Sequence, residues 1–258
     1  MALSTRQEQI YAALQRDGRV DVDALAEEMA VATQTIRRDL NELSARGLAQ
    51  RVHGGARRAN SISNIGYEAR RALAQPEKAA IARAAADLIP DECSVMLNIG
   101  TTTEEVARAL FRHKGLVVIS NNVNVITTLM ASDASELILA GGAVRPTDGA
   151  IIGEAAVEFI GRYKADFAII GASALDEDGA ILDFDAREVS VARAILANAR
   201  TRILVADATK FSVSAPVRIA GIGEIDFFVT NAPPPRAFFD AATAAETKII
   251  VTDPEHGS

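Results

Sequence analysis

Along the first fifty residues, Ile10 and Leu14, Leu25 and Met29, and Ile36, Leu40 and Leu43 recur three or four positions apart, with polar residues between them. That is the period of amphipathic helices, and it predicts three short ones. Gly18 ends the first, and Asp21 caps a second over 22–29. Ala30–Ala32 makes a tight turn, and Thr33 caps a third helix that runs to about Arg46 and is closed by Gly47. Leu48–Val52 followed by His53-Gly54-Gly55-Ala56 reads as a short strand with a glycine turn. Three helices and a small ribbon are the layout of a winged helix-turn-helix domain, placed at 1–58.

The periodicity then lapses. Residues 59–76, with Asn60-Ser61-Ile62-Ser63-Asn64, read as a linker that carries some helix near Tyr67–Ala74. Beyond Pro76 the texture alternates. Helical segments at 77–89, 102–112, 122–131, 154–163, 187–199 and 235–246 are interleaved with apolar strands at 95–99, 116–120, 136–140, 166–172, 202–207, 226–230 and 248–252. Runs such as FAIIGA and RILVAD are apolar on both sides of the strand, as a sheet covered on both faces requires. The expected fold class is α/β: a winged helix-turn-helix followed, over 77–258, by a mostly parallel sheet with helices on both sides.

Composition narrows the function. With 258 residues, 49% hydrophobic and 24% charged, the chain can bury a core without staples. A single cysteine, Cys93, excludes a disulfide framework, and the distant His53, His113 and His256 argue against a histidine metal site, so no metal is expected. No apolar run approaches a membrane span and the N-terminus lacks a signal-peptide core, so the reading is a cytoplasmic protein without membrane partners. The net charge of −7 hides an asymmetry: residues 1–60 hold nine Lys/Arg against eight Asp/Glu, and the stretch 33–58 holds six arginines against Asp39 and Glu42. A basic arm on an acidic body suits a nucleic-acid-binding head.

In a helix-turn-helix the second helix enters the major groove. Here it reads Thr33-Gln34-Thr35-Ile36-Arg37-Arg38-Asp39-Leu40. With Ile36, Leu40 and Leu43 turned to the core, Gln34, Thr35, Arg37 and Arg38 face outward, where glutamine suits adenine and arginine suits guanine or phosphate. Asp39 and Glu42 lie away from DNA or pair with arginines. The wing from Arg51 brings His53, a turn or core residue as readily as a DNA contact, with Arg57 and Arg58 for phosphates. A dimerisation module with solvated arginines is the alternative.

In the C-terminal part, strand ends carry small, donor-rich loops: Gly100-Thr101-Thr102-Thr103, Ser120-Asn121-Asn122 and Gly141-Gly142-Ala143-Val144-Arg145. Amides, hydroxyls and a helix start make an anion site. Singly each is an ordinary turn and cap; three at successive strand ends point to a small phosphorylated ligand. Neither G-x-G-x-x-G nor a Walker signature is present, so dinucleotide and NTP cofactors are not expected. Asp185 and Glu188 can accept from hydroxyls or form a capping box, and Lys210, in Asp207-Ala208-Thr209-Lys210, can meet a phosphate. Cys93 reads as structural.

TIRRDLNEL, RVHGGA, IGTTT, NNVNV, LAGGAVRPTDGAIIGE, ILDFDAREV and VADATKF, in that order and across nearly the whole chain, resemble the DeoR family of bacterial repressors. The resemblance implies a sensor domain shaped like sugar-phosphate isomerases, homo-oligomers, and release of double-stranded operator DNA when a phosphorylated metabolite binds. It places Thr33–Arg38 on operator bases, and the loops at Gly100–Thr103, Asn121–Asn122 and Gly141–Arg145, with Lys210, around the effector. Asn98 departs from the Asp that relatives commonly carry before the Gly-Thr-Thr loop. An amide is neither acid nor base, so this argues against an isomerase, the rival reading, for which Asp185 and Glu188 would be the candidate bases.

Overall fold

In the N-terminal part, helices form where the apolar period places them: α1 (Thr5–Asp17), α2 (Val22–Glu28) and α3 (Thr33–Ala45), with strand β1 (Arg19–Asp21) before α2 and strands β2 (Ala49–Val52) and β3 (Gly55–Arg58) after α3. The computed structural model describes residues 3–17, 19–45, 48–52, 54–58 and 66–252. The chain divides into two compact units, 1–69 and 70–258. In the first, Ile10, Leu14, Leu25, Ile36, Leu40 and Leu43 form a closed core. Asp21 caps α2, its carboxylate accepting from the amides of Asp23 and Ala24 at 2.9 and 3.3 Å.

Two expectations are corrected. Thr33 is the first helical residue of α3 rather than its cap; the carbonyl of Ala32 takes the first amides, from Thr35 at 2.9 Å and Ile36 at 3.4 Å. The wing is a three-stranded antiparallel sheet in the order β1-β3-β2, not a lone ribbon. Three residues are too few to display an alternating pattern, so β1 was hidden behind the capping signal of Asp21. Its register, Val20 opposite Ala56 and Asp21 opposite Gly55, brings the chains so close that a Cβ at Gly55 would lie 2.1 Å from the Val20 carbonyl oxygen. Gly18, Gly47 and His53 lie outside the described residues.

The stretch expected as a linker is helical from Tyr67 onward: α4 (Tyr67–Ala72) and α5 (Gln75–Ala86) meet at Ala74, whose φ of 53° lies in the left-handed region. The second unit continues with β4 (Ser94–Leu97), α6 (Thr101–Leu110), β5 (Val117–Ser120), α7 (Val123–Leu129), β6 (Glu136–Leu139), β7 (Val144–Arg145), β8 (Ala150–Ile151), α8 (Glu154–Ile160) and β9 (Ala165–Ile170). It ends with β10 (Ala174–Leu175), β11 (Ala180–Asp183), α9 (Ala186–Ala197), β12 (Ala199–Val205), β13 (Val217–Gly221), β14 (Phe227–Thr230), α10 (Arg236–Ala244) and β15 (Lys248–Val251), with 3₁₀ turns at Ala208–Ser212 and Ile222–Glu224.

Seven strands form the expected parallel sheet, in the order β15-β14-β12-β9-β4-β5-β6. Successive residues of each strand feed opposite faces. Val95, Leu97, Ile169, Ile203 and Val205 pack under α5, α6 and α7. Met96, Ala168, Ile170, Leu204 and Phe228 pack under α8, α9 and α10. The order reverses between β4 and β9, which makes the carboxyl ends of those two strands the switch point where an open α/β sheet leaves a crevice. The pair β7–β8 and the antiparallel β10-β11-β13 sheet are additions the sequence did not signal; their strands are of two to five residues, too short for a period.

Phe238 on α10 is buried and stacks edge-on against Phe211 at 4.9 Å and Phe228 at 5.4 Å. Phe238→Ala is expected to lower the stability of the second unit by about 3–5 kcal/mol, read from its denaturant midpoint.

Candidate functional site

On α3, Ile36, Asp39, Leu40 and Leu43 are buried, while Gln34, Arg37 and Arg38 are exposed and Thr33 and Thr35 half-buried. The outward face is the one expected. Arg38 reaches Glu42 one turn on, Nε to Oε1 at 3.3 Å, with most of its side chain in solvent. Asp39 pairs with an arginine, but one from α1: Arg6 Nε donates to Oδ2 at 2.5 Å, and Gln7 Nε2 donates to Oδ1 at 3.3 Å and to Glu42 Oε2 at 2.5 Å. Arg51 pairs with Ala56 across β2 and β3, and Arg57 and Arg58 lie on β3; the side chains of these three lie outside the described residues.

In the second unit the sheet's carboxyl ends gather the polar groups. Asn98 is buried, its backbone N–H donating to the Ile169 carbonyl at 3.0 Å across the switch point. Gly100 has a φ of 138°, barred to ordinary side chains, and lets the chain turn into α6. Thr103 donates its hydroxyl to the Gly100 carbonyl at 2.8 Å and is fully buried. It therefore locks the loop from behind, while Thr101 stays half-buried and Thr102 is buried.

Asn121 and Asn122, expected around the effector, are both tied into the framework through their side-chain amides. Asn121 Nδ2 donates to the Ile151 carbonyl at 3.0 Å. Asn122 accepts the Asn124 amide at 2.8 Å, capping α7, and donates to Glu104 Oε1 at 3.1 Å. Asn124 donates to the same Glu104 oxygen at 3.0 Å and to the Asp148 carbonyl at 3.1 Å. Gly141 and Gly142 are exposed; a Cβ on Gly142 would meet Ile151 Cγ2 at 2.9 Å, so this glycine seats the β7–β8 hairpin.

Arg145 is likewise engaged. It holds Asp148 through Nε at 2.8 Å and Nη2 at 2.5 Å, and its Nη1 meets Glu188 at 2.6 Å and Asp185 at 3.8 Å. The Asp148 hydrogen bonds raise the guanidinium pKa further above its ordinary value. Asp185 caps α9, accepting the Arg187 amide at 2.9 Å, and the Arg187 side chain on the same carboxylate lowers its pKa. Glu188 turns to Arg145 instead of closing a capping box, and burial, with Asp183 nearby, raises its pKa. The sequence thus named Arg145, Asp185 and Glu188 as ligands, and the structure unites them as an ion cluster joining the β7–β8 hairpin to α9.

The remaining predicted residue, Lys210, sits half-buried after β12. Burial lowers its pKa, opposed by the charges of Asp207 and Asp183. Among the described residues its Nζ makes no ion pair within 4.0 Å. Lys78 was not foreseen, because nothing distinguishes it from a solvated residue in the first turns of α5. It is 2% exposed, donates to the carbonyls of Arg70 and Leu73 (2.7 Å for Leu73), and its pKa is pulled down to about 8, by burial first and against the charge of Asp207. Asp207 is buried and bound through Oδ1 to the amide and hydroxyl of Thr209.

Among the described residues, six buried side-chain polar atoms lack a partner, and five of them lie at the carboxyl ends of sheet strands: Asn98 Oδ1, Asn121 Oδ1, Asp207 Oδ2, Thr230 Oγ1 and Thr252 Oγ1. Buried polar atoms without a partner are rare, and each calls for one. Two lysines and a row of free acceptors suit an anion that also carries hydroxyls. Away from this rim, Cys93 donates to the Pro90 carbonyl at 3.2 Å and burial pushes its thiol up to about 11, so it serves packing rather than reactivity.

A winged head that presents arginines, combined in one chain with a doubly wound unit whose switch point is lined by polar groups, defines a two-part transcription regulator. Residues 6–62 match the DeoR-like helix-turn-helix domain, and residues 73–232 match the DeoR C terminal sensor domain. The chain belongs to the DeoR family. It is 42% identical to the glycerol-3-phosphate regulon repressor of Escherichia coli (strain K12), covering 94% of this chain and 96% of that one. It is 38% identical to the HTH-type transcriptional repressor CsqR of the same organism, covering 95% and 94%. Among solved structures it is similar to ribose 5-phosphate isomerase from Plasmodium falciparum, with a TM-score of 0.38, 13% identity and coverage of 54% of this chain and 52% of that one. No helix among the described residues is long and apolar enough to cross a membrane.

Because Lys78 titrates near pH 8 when folded and at 10.5 when unfolded, the unfolded chain holds more protons between those values. Stability contributed by this site therefore rises with pH. The stability of the wild type relative to Lys78→Met is expected to climb between pH 8 and 10.5, by up to about 1.4 kcal/mol per pH unit, in chemical denaturation of the two proteins side by side.

Proposed function

We propose that this protein is a transcriptional repressor that holds operator DNA through α3 and the wing, and lets go when a phosphorylated three-carbon metabolite, glycerol-3-phosphate, enters the crevice at the sheet's switch point. The observation that carries this reading is the set of partnerless buried acceptors on the carboxyl rim, with Lys210 and Lys78 beside them. Lysines meet the phosphate charge, and Asp207 Oδ2 and the side-chain oxygens of Asn98 and Asn121 accept from hydroxyls. Gly100–Thr102 supplies backbone amides at the start of α6. The relatives named for glycerol-3-phosphate favour that effector over a longer sugar phosphate.

On the DNA side, Gln34 and Thr35 read base edges, Arg37 and Arg38 take bases or phosphates, and Thr33, Arg51, Arg57 and Arg58 fix the register, with His53 at the wing turn. The protein works in the cytoplasm as a homo-oligomer, and a dimer sets two recognition helices about one turn of duplex apart. Reversing the DNA-competent population from 99% to 1% needs a preference of about 5.5 kcal/mol. Two to four charge-assisted bonds worth roughly 1.5–3 kcal/mol each suffice when they form in one state only.

Isomerase chemistry needs a carboxylate base. The two candidates that the sequence offered are engaged, Glu188 by Arg145 and Asp185 by Arg187, which favours a sensor without turnover; Asp207, whose Oδ2 has no partner among the described residues, is the carboxylate to replace in testing this. An isomerase assay on common phosphosugars is the direct check, and turnover there would replace this reading.

With an operator duplex selected from random DNA, Arg37→Ala and Arg38→Ala are each expected to cost about 1–3 kcal/mol of affinity in titrations, and a change under twofold would remove α3 from the groove. Glycerol-3-phosphate is expected to raise the melting temperature of the free protein and to weaken operator binding, and Lys210→Ala to abolish both responses; a Lys210→Ala protein that still responds places the pocket elsewhere.

A further inference from the structure

The Arg6–Asp39 pair has a feature that a plain structural salt bridge lacks. Asp39 is 4% exposed, on the inner side of the recognition helix, and a buried carboxylate needs compensation. Arg6 supplies it with one donor, Nε, at 2.5 Å, and Gln7 adds a longer bond at 3.3 Å. A guanidinium has five N–H donors. Among the described residues the four on Nη1 and Nη2 make no hydrogen bond, although Glu42 lies close enough to act on the guanidinium charge, and 38% of the Arg6 side chain is open to solvent. It opens onto a cleft of about 430 Å³, which Arg6 lines together with Gln34, Thr35, Arg38, Asp39 and Glu42. Three of those neighbours, Gln34, Thr35 and Arg38, belong to the outward face of α3. A planar fork held through Nε by a carboxylate, and lining a cleft shared with Gln34, Thr35 and Arg38, matches the oxygens of a phosphate. In DNA complexes phosphates flank the bases that a recognition helix reads, and contacts to them set its register.

We propose that Arg6, on the first helix, takes a backbone phosphate of the duplex beside the groove entered by α3, and that Asp39 and Gln7 are positioning residues that fix where its fork points. The assignment rests on the reading that α3 enters the major groove. It adds a contact from outside the helix-turn-helix pair, and it gives the acidic residue inside an arginine-rich helix a role in DNA binding.

The test is the salt dependence of binding to a short random-sequence duplex, measured for the wild type, Arg6→Gln, Asp39→Asn and the double variant. Each lost phosphate contact makes the slope of log K against log salt shallower by about 0.9. Arg6→Gln is expected to show that change equally on the random duplex and on a selected operator, with base preference retained. The double variant, which removes the buried charge together with its partner, is expected to keep the shallower slope. An unchanged slope in Arg6→Gln, or a wild-type slope in the double variant, would show that Arg6 only neutralises Asp39 and overturn the proposal. Should Arg6→Gln fail to fold, the double variant decides by the same slope. A wild type that ignores duplex altogether overturns this proposal and the groove reading together; a wild type that binds and needs Arg37 and Arg38, with an unchanged Arg6→Gln slope, overturns this one alone.

Discussion

A parallel sheet covered on both faces has no room for polar chemistry in its interior, and this constraint organises the second unit. Strands such as β9 and β12 bury alternate residues against two separate helix layers. An unpaired polar group within them would cost free energy that nothing nearby offsets. Only the strand ends are released from the rule. The carboxyl ends are where the chain concentrates asparagine, aspartate and threonine, and where those residues keep oxygen atoms without partners. The reversal of strand order between β4 and β9 opens that edge, so topology and polar placement select the same crevice.

The loops around the crevice are held by polar contacts arranged in series. Glu104 on α6 binds Asn122 and Asn124 at the start of α7; Asn124 reaches the Asp148 carbonyl; Asp148 holds Arg145; and Arg145 holds Glu188 on α9. Every link is buried or half-buried, where a lost partner is costly, so the chain resists loosening at any single point. Asn122, Arg145 and Glu188, which in sequence look like ligand donors, are thus each engaged by partners within the protein.

That displacement explains how far the sequence could be read. The alternation of helix and strand, the winged head and the switch-point loops were legible because each has a period or a turn chemistry. Ile36, Leu40 and Leu43 gave the buried face of α3, and by subtraction its outer face. What stayed hidden lacked length or depended on partners distant along the chain. The three residues of β1 carry no alternation. Asp39 is matched with Arg6, thirty-three positions away, and Lys78 is held by the carbonyls of Arg70 and Leu73 and feels the charge of Asp207. The pairing of Arg145 with Asp185 and Glu188 stayed hidden for a related reason: spacing shows that charges are near a strand end, but not whether they satisfy one another.

The corner between α4 and α5 brings a mechanical property with it. An L-residue in the left-handed region is strained by roughly 1–2 kcal/mol, and Ala74 accepts that strain where glycine would not. Alanine restricts the backbone that glycine would leave loose. Lys78 then ties down the carbonyls of Arg70 and Leu73 on the incoming side, while Pro76 stiffens the outgoing one. The bend is thus an elbow braced on both arms, stiffer than the same corner built on glycine.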